Sequence, residues 1–173
     1  QGGVSKSEYN SLNCSYKNGD KLENVKENRK IVCEKFNFDI SRLMILNQIH
    51  SSKIVEIDET HLGKMFYADG MITSKRNILL GILTADCAPV LFCGKKNIAI
   101  LHVGWQGLIK GIIDNLINLF LKKNENLNYI SCIIGPHLSY ESFRVKKDFV
   151  DIINKTRPLF LNHIKKKKWN ISF

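Results

Sequence analysis

The chain has no long hydrophobic run and no basic-then-apolar segment that would mark a signal peptide at its start. None of its 173 residues lies in an apolar stretch long enough to span a bilayer. Neither membrane insertion nor a membrane partner is therefore predicted. The first residue is Gln1 and not methionine, so we expect the natural chain to continue upstream. This sequence does not exclude a targeting signal in that upstream part.

Paired cysteines are also lacking. Cysteine occurs five times, at scattered positions and without a C-x-x-C pair. An odd number with irregular spacing is not a disulfide framework, which favours a reducing, cytoplasmic setting. Three of the five lie in apolar runs, where a free cysteine packs as a small hydrophobic residue: Cys33, Cys93 and Cys132.

Acidic residues are few relative to basic ones. The net charge is +10, from 26 Lys and Arg against 16 Asp and Glu. The basic residues are spread along the chain except for the four-lysine run at 165–168, which we expect to be a solvated tail or loop. Neither zinc-finger spacing nor an aromatic-rich RNA-binding motif occurs, so no nucleic-acid partner is predicted.

The pattern of apolar residues predicts a mixture of helices and strands. A chain of this length fits one domain with a full core. Helical spacing predicts helices over residues 21–36, 108–121 and 145–154. Short apolar segments predict strands over residues 43–46, 53–57, 70–73, 78–83, 89–93, 98–103 and 129–134. The later strands are apolar on both faces, which indicates a sheet covered on both sides and a mixed α/β domain built in layers.

Two of these strands flank the turn sequence Gly-Lys-Lys-Asn and predict a β-hairpin. A loop of two or four residues pairs Pro89 with His102, which places Cys87 on the same face as His102, as a diagonal neighbour. A loop of three residues shifts the register by one and separates the two side chains. Nothing in the local sequence brings His50 to this face.

Three short motifs carry the candidate chemistry: Q-I-H ending at His50, T-A-D-C ending at Cys87, and H-V-G-W-Q-G beginning at His102. Two imidazoles and a thiol are the ligand set of an open zinc site, in which water takes the fourth position. The same residues also fit a Cys87 nucleophile with His102 as its base. Gly104 precedes a helix, where bare backbone amides can bind phosphate. Taken singly, each residue also fits a structural role, and His137 after Gly-Pro is predicted to be a turn residue.

Together with other segments, these motifs closely resemble one family over most of the chain. The matching segments are residues 2–5, 11–13, 25–29, 48–50, 68–70, 84–91, 102–105 and 134–136. The family was first described as laccase-like multicopper polyphenol oxidases, and is now described as zinc-dependent purine nucleoside phosphorylases with peptidoglycan-editing-factor members. The resemblance implies a layered α/β fold shared with certain cysteine hydrolases. It also implies metal ligands at His50, Cys87 and His102.

The resemblance also implies the reactions and the partners. The reactions are phosphorolysis of adenosine, inosine and methylthioadenosine, and deamination of adenosine, with a purine nucleoside and phosphate as partners. Zinc is the expected cofactor because one Cys-His-His cluster is not a multicopper array, and copper follows only from the older description. Asp86, beside Cys87, is a candidate catalytic proton carrier, or alternatively a group that supports a metal ligand. Four residues are expected to line the substrate pocket: Ser5, Asn13, Gly104 and Gln106.

The chain departs from the family at several points. Gln106 stands where the family commonly has arginine, and glutamine lacks the charge and the fork geometry that arginine offers to phosphate. Ser51 replaces a usual glycine, and Arg144 replaces a glutamate. The family continues beyond Phe173, so we expect residues 1–173 to form one laccase-like domain that is incomplete at both ends. A monomer and a homodimer both remain open.

Three hypotheses follow from these residues. The first is the zinc-dependent purine nucleoside enzyme. The second is a zinc-free cysteine hydrolase or amidase, for which peptidoglycan-precursor editing would be a fitting activity. The third is a degenerate domain that binds a nucleotide or a partner without turnover. Stoichiometric metal separates the first hypothesis from the second, and the lack of both metal and turnover favours the third.

Overall fold

A computed structural model describes the backbone of residues 2–163, 165–167 and 170–172, and it confirms the mixed α/β fold. The helices are α1 Leu22–Lys35, α2 Trp105–Ile109, α3 Ile112–Lys122 and α4 Lys147–Thr156. The strands are β1 Leu43–Ile45, β2 Ile54–Glu56, β3 Gly70–Thr73, β4 Leu79–Gly81, β5 Ala88–Cys93, β6 Ile98–Val103, β7 Ser131–Ile134, β8 Arg144–Val145, β9 Lys165–Lys167 and β10 Asn170–Ser172. No helix among the described residues is both long and apolar enough to cross a membrane.

The central sheet has five strands in the order β2-β3-β6-β5-β7. Strands β2 and β3 run parallel, and the other neighbours are antiparallel. A parallel pair, β1–β4, and a three-stranded set, β8-β10-β9, form separate sheets. The central sheet matters most for function because β5 and β6 carry or adjoin two of the candidate site residues.

Two buried clusters cover opposite faces of β3. One contains Met71 with residues of β1 and the loops around it, and the other contains Ile72 with the buried side of α3. Since successive strand residues point to opposite faces, Met71 and Ile72 divide the two clusters between them. The sheet is therefore buried on both faces at β3, as predicted, but not at β7, where all four residues are exposed.

Several predicted elements differ from those observed. The helix predicted over 108–121 is two helices, because Gly111 adopts a left-handed φ of +84° between α2 and α3. The strand predicted as buried over 129–134 is the exposed β7, and α4 begins two residues later than predicted. Cys93 and Cys132 are exposed and not packed. Residues 165–167 form a strand where a solvated tail or loop was predicted, and residue 168 lies outside the described residues.

The turn between β5 and β6 is held by a buried carboxylate that follows α3. Glu125 accepts hydrogen bonds from the backbone N–H groups of Lys95, Lys96 and Asn97, at 3.1, 2.8 and 2.8 Å, and from the Asn97 side chain at 3.0 Å. The hydrogen bond from the Asn97 side chain, with the three from the backbone, holds the pKa of Glu125 below its ordinary value of 4.5.

We expect Glu125→Ala to lower the free energy of unfolding by about 3 kcal/mol, because it leaves several buried donors unpaired. A carboxyl whose pKa is lower in the folded state stabilises the fold above its unfolded pKa, and this contribution is lost as the pH falls through the folded pKa. In urea unfolding, the free energy of unfolding should therefore fall less between pH 7 and pH 3 in Glu125→Gln than in the parent. Glu27→Gln, on the exposed side of α1, is the control. If the free energy of unfolding fell equally with pH in Glu125→Gln and in the parent, Glu125 would not contribute to the pH dependence of stability.

Candidate active site

Three side chains from separate parts of the chain converge at one end of the β5–β6 hairpin. The ligand atoms of His50, Cys87 and His102 all lie within 4.8 Å of one another. The Cys87 Sγ is 4.0 Å from the His50 Nε2, and the two imidazole rings are 4.8 Å apart between centroids. His102 is buried, Cys87 is half-buried and His50 is exposed. The structure therefore brings together the three residues proposed as metal ligands.

The hairpin register explains why Cys87 meets His102. Strand β5 pairs with β6 so that Pro89 lies opposite His102 and Cys93 opposite Ile98, and the Gly94 N–H donates to the Asn97 carbonyl. This is the register predicted for a loop of two or four residues. It leaves Cys87 just before β5, next to the end of β6.

His50 reaches the site through a loop that is tied at two points. The Gln48 amide forms two hydrogen bonds with the backbone of Leu83, at 2.7 and 2.9 Å, which joins this loop to the segment leading to Cys87. His50 itself has a φ of +55°, which is uncommon for a residue with a side chain. Such a conformation persists only where the surroundings determine it.

The second tie is the carboxylate of Asp69, which is fully buried before β3. It accepts hydrogen bonds from the backbone N–H groups of Ile49, His50 and Ser51, and from the Ser51 hydroxyl. It also lies 2.9 Å from the His102 Nδ1. One carboxylate therefore orients both candidate histidines. The role of Asp69 does not follow from the sequence motifs; an acidic residue directly before a strongly apolar strand was the available signal.

The electrostatics of the site favour a charged Asp69 and a neutral free thiol. Burial opposes ionisation of Asp69, but hydrogen bonds from His102, Ser51 and His50 outweigh it and lower its pKa. Burial, with the negative charges of Asp86 and Asp69, raises the pKa of the Cys87 thiol. Because Asp69 engages the His102 Nδ1, the Nε2 of that ring is left to face the other two residues.

The residues present fit a zinc ion. Tetrahedral zinc, with bonds of about 2.3 Å to sulfur and about 2.0 Å to nitrogen, holds its donor atoms about 3.5 Å apart. The three ligand atoms here all lie within 4.8 Å of one another. Gly104 is also required by the close approach of the donors. A Cβ at Gly104 would lie 2.9 Å from the Cys87 Sγ and 3.1 Å from the His50 Cδ2.

We expect Gly104→Ala to weaken zinc binding about tenfold, because overpacking of this kind costs about 1–3 kcal/mol. Gly104 has a φ of −85°, which alanine adopts freely, so the effect reports the collision with Cys87 and His50 alone. Competition with a zinc chelator measures the affinity. Gly63→Ala is the control because its Cβ meets open space, although its φ of +75° strains the backbone. Equal zinc affinities in the two variants would refute this steric role.

A cavity of about 650 Å³ meets the three-residue cluster at Cys87, which is the one candidate ligand on its wall. Its wall includes Cys87, Asp86 and Gly104, and it continues along aromatic side chains such as Trp105 and Phe149, whose rings are 5.0 Å apart. This volume is in the range of small-molecule sites, and a mostly apolar wall with a few polar groups is typical of them.

The other predicted substrate residues lie elsewhere among the described residues. Ser5 and Asn13 both donate to the Asp20 carboxylate, at 2.6 and 2.9 Å, and Asn28 binds the Ser5 hydroxyl and the Asn13 carbonyl. This network is separate from the cavity at Cys87. Gln106 is half-buried on α2 and does not line that cavity either. The structure thus groups Gly104 and Asp86 with the three candidate ligands, but not Ser5, Asn13 or Gln106.

The chain is similar in sequence to known proteins. A sequence model of the family described as multi-copper polyphenol oxidoreductase laccase matches residues 1–172. A Rickettsia prowazekii protein named purine nucleoside phosphorylase is 39% identical over 140 residues, which are 76% of this chain and 56% of that protein. The Escherichia coli purine nucleoside phosphorylase YfiH is 31% identical over 166 residues, which are 94% of this chain and 67% of that protein.

Solved structures agree with the fold. The crystal structure of the Bacillus licheniformis hypothetical protein YfiH superposes with a TM-score of 0.92 at 25% identity, and the match covers 99% of this chain and 69% of that one. A Neisseria meningitidis protein superposes with a TM-score of 0.86 at 30% identity over 99% of this chain and 69% of that one. The chain therefore spans between about half and two thirds of the length of the proteins that it resembles.

Proposed function

Since the chain belongs to the multi-copper polyphenol oxidoreductase laccase family, we propose that it is a zinc-dependent purine nucleoside enzyme. The proposed reactions are phosphorolysis of adenosine, inosine and methylthioadenosine, with deamination of adenosine as a second activity. The convergence of His50, Cys87 and His102 beside a cavity of nucleoside size carries the proposal. The names of the Rickettsia prowazekii and Escherichia coli relatives support the substrate class.

The donor set supports zinc over copper. Among the described residues, the two histidines and Cys87 form the only cluster of three or more side chains that could hold a metal. A multicopper centre requires several such clusters, whereas two imidazoles and a thiolate with one open position suit catalytic zinc. When bound, zinc would supply a Lewis acid and would lower the pKa of a bound water.

The residues of the chain have defined tasks in phosphorolysis. A phosphate oxygen forms a bond to the ribose C1′, while the bond from C1′ to the purine N9 breaks and its electron pair leaves with the base. The departing purine then takes up the proton that the attacking hydrogen phosphate gives up. Asp86 is the proposed proton carrier because it lines the cavity directly beside Cys87. Trp105 and Phe149 offer an apolar wall for the purine ring and exclude water from it.

A second candidate function uses the thiol without metal. The buried Asp69–His102 pair next to Cys87 is the arrangement that supports a cysteine nucleophile in a hydrolase or amidase. Such a nucleophile needs a stabilised thiolate, whereas burial and two nearby carboxylates raise the pKa of Cys87. The zinc enzyme is the better proposal because a bound cation would favour the thiolate that the protein alone disfavours.

Zinc content and nucleoside turnover on one sample test the proposal. Elemental analysis of protein purified without added metal should find about one zinc per chain. Adenosine with phosphate should then yield adenine and ribose 1-phosphate, and adenosine without phosphate should yield inosine and ammonia. A metal-free, inactive protein contradicts the proposal. Rapid alkylation of Cys87 that zinc does not block, together with amide hydrolysis, would favour the second candidate.

A further inference from the structure

His137 lies outside the three candidate ligands but on the wall of the same cavity. It follows β7 in the Gly-Pro-His turn, where the sequence predicts only a turn residue. The structure places it among the side chains that line the 650 Å³ cavity, which also include Asp86 and Cys87. An exposed imidazole on the wall of a mostly apolar cavity is a polar group available to a ligand.

The ring of His137 has a defined tautomer. Its Nδ1 lies 2.9 Å from the backbone carbonyl oxygen of Gly135. A carbonyl oxygen only accepts hydrogen bonds, so Nδ1 carries the proton and the Nε2 of the neutral ring is an acceptor. Among the described residues, His137 makes no hydrogen bond through Nε2.

The turn that carries His137 is fixed to the segment that carries Cys87. On one side of His137, the Gly135 N–H donates to the Pro89 carbonyl at 2.9 Å. On the other side, the Leu138 N–H donates to the Asp86 carbonyl at 3.0 Å. The contact is close, since a Cβ on Gly135 would lie 2.9 Å from the Pro89 Cγ. Backbone hydrogen bonds therefore hold the imidazole beside the candidate zinc site.

We propose that His137 binds the purine base of the nucleoside, with its Nε2 accepting a hydrogen bond from a base N–H. This inference rests on the proposed function, and it names a residue that recognises the base. Adenine offers its exocyclic amine and hypoxanthine offers its N1–H, so both bases provide the donor that Nε2 requires. The apolar faces of either base suit the aromatic wall at Trp105 and Phe149.

Replacing the base amine by a methyl group tests this contact directly. Adenosine and 6-methylpurine riboside have nearly the same shape, but only adenosine has an N–H at position 6. We expect the zinc-loaded parent to bind adenosine about tenfold more tightly than 6-methylpurine riboside, which is the effect of one hydrogen bond. His137→Ala should bind both nucleosides equally. His137→Gln, which retains an acceptor oxygen, should recover part of the preference.

Binding without phosphate, followed by rapid mixing before deamination consumes adenosine, measures these affinities. His61→Ala is the matched control because His61 pairs with Asp58 on a different turn. Loss of the preference in His137→Ala but not in His61→Ala supports the assignment. Retention of the preference in His137→Ala overturns it, even if the parent cleaves adenosine. If the preference is lost in His137→Ala but the parent does not cleave adenosine, the role of His137 in binding is supported and phosphorolysis is refuted. Absence of adenosine binding to the parent refutes both.

Discussion

Replacing Cys87 with alanine is expected to remove zinc from the protein and to abolish nucleoside turnover. Cys87 supplies the only sulfur among the three converging ligand atoms, and its loss leaves two imidazoles with two open positions. Residues that merely support metal ligands contribute about 10–100-fold to affinity, so loss of a ligand should cost more than about 100-fold. Elemental analysis after dialysis and the adenosine assay measure the two effects.

Cys132→Ala is the matched control for Cys87→Ala. Cys132 is a free, exposed thiol on β7, and its removal tests whether any cysteine substitution lowers zinc content. Compared in their zinc-free forms, both variants should unfold within about 1 kcal/mol of the parent, because neither thiol is fully buried. Full zinc occupancy in Cys87→Ala would rule out the thiol as a ligand.

The part of the site within the hairpin was predictable from the sequence. The two apolar strands that flank the Gly-Lys-Lys-Asn turn limited the register to a few choices of loop length, and each choice fixed the face of Cys87 relative to His102. The conformation of the turn decides which of these registers forms. Glu125 binds the backbone N–H groups of Lys95 and Lys96, which holds the tight turn in place. That contact joins residues far apart in the sequence, so no local pattern reveals it.

The approach of His50 was not predictable by the same means. Periodicity indicates which side chains are buried, but not which loops meet in space. His50 is placed by the Gln48 amide on the backbone of Leu83, 35 residues away, and by the buried Asp69. The family resemblance named His50 as a ligand without a physical route. The structure supplies that route through side-chain to backbone hydrogen bonds.

The wrongly predicted elements have a shared physical origin. An apolar run such as Ser131–Ile134 has the same composition whether it lies inside a sheet or at its edge, so its burial was predicted wrongly. In the same way, Gly111 interrupts an otherwise continuous apolar face, and only its left-handed φ shows that the helix ends there. Local propensity is compatible with both outcomes, and tertiary packing decides between them.

Asp69→Asn should have the second largest effect on the site. All the groups that face the Asp69 carboxylate are donors: three backbone N–H groups, the Ser51 hydroxyl and the His102 Nδ1. An asparagine amide removes the charge and turns its own N–H₂ toward some of these donors, so buried donors lose their acceptor. We expect the free energy of unfolding to fall by about 3 kcal/mol. Zinc affinity should fall about 10–100-fold, because His102 loses the partner that fixes its tautomer.

The chain contains a matched control for this substitution. Asp58 also pairs with a histidine, since its Oδ1 lies 2.7 Å from the His61 Nδ1, but this pair is on the surface and far from β6 in the sequence. Asp58→Asn removes the same charge from the same type of contact and should leave zinc affinity unchanged. Chelator competition and urea unfolding on both variants separate the two roles. If Asp69→Asn retained the zinc affinity of the parent, the buried carboxylate would serve the stability of the loop at His50 and not the metal site.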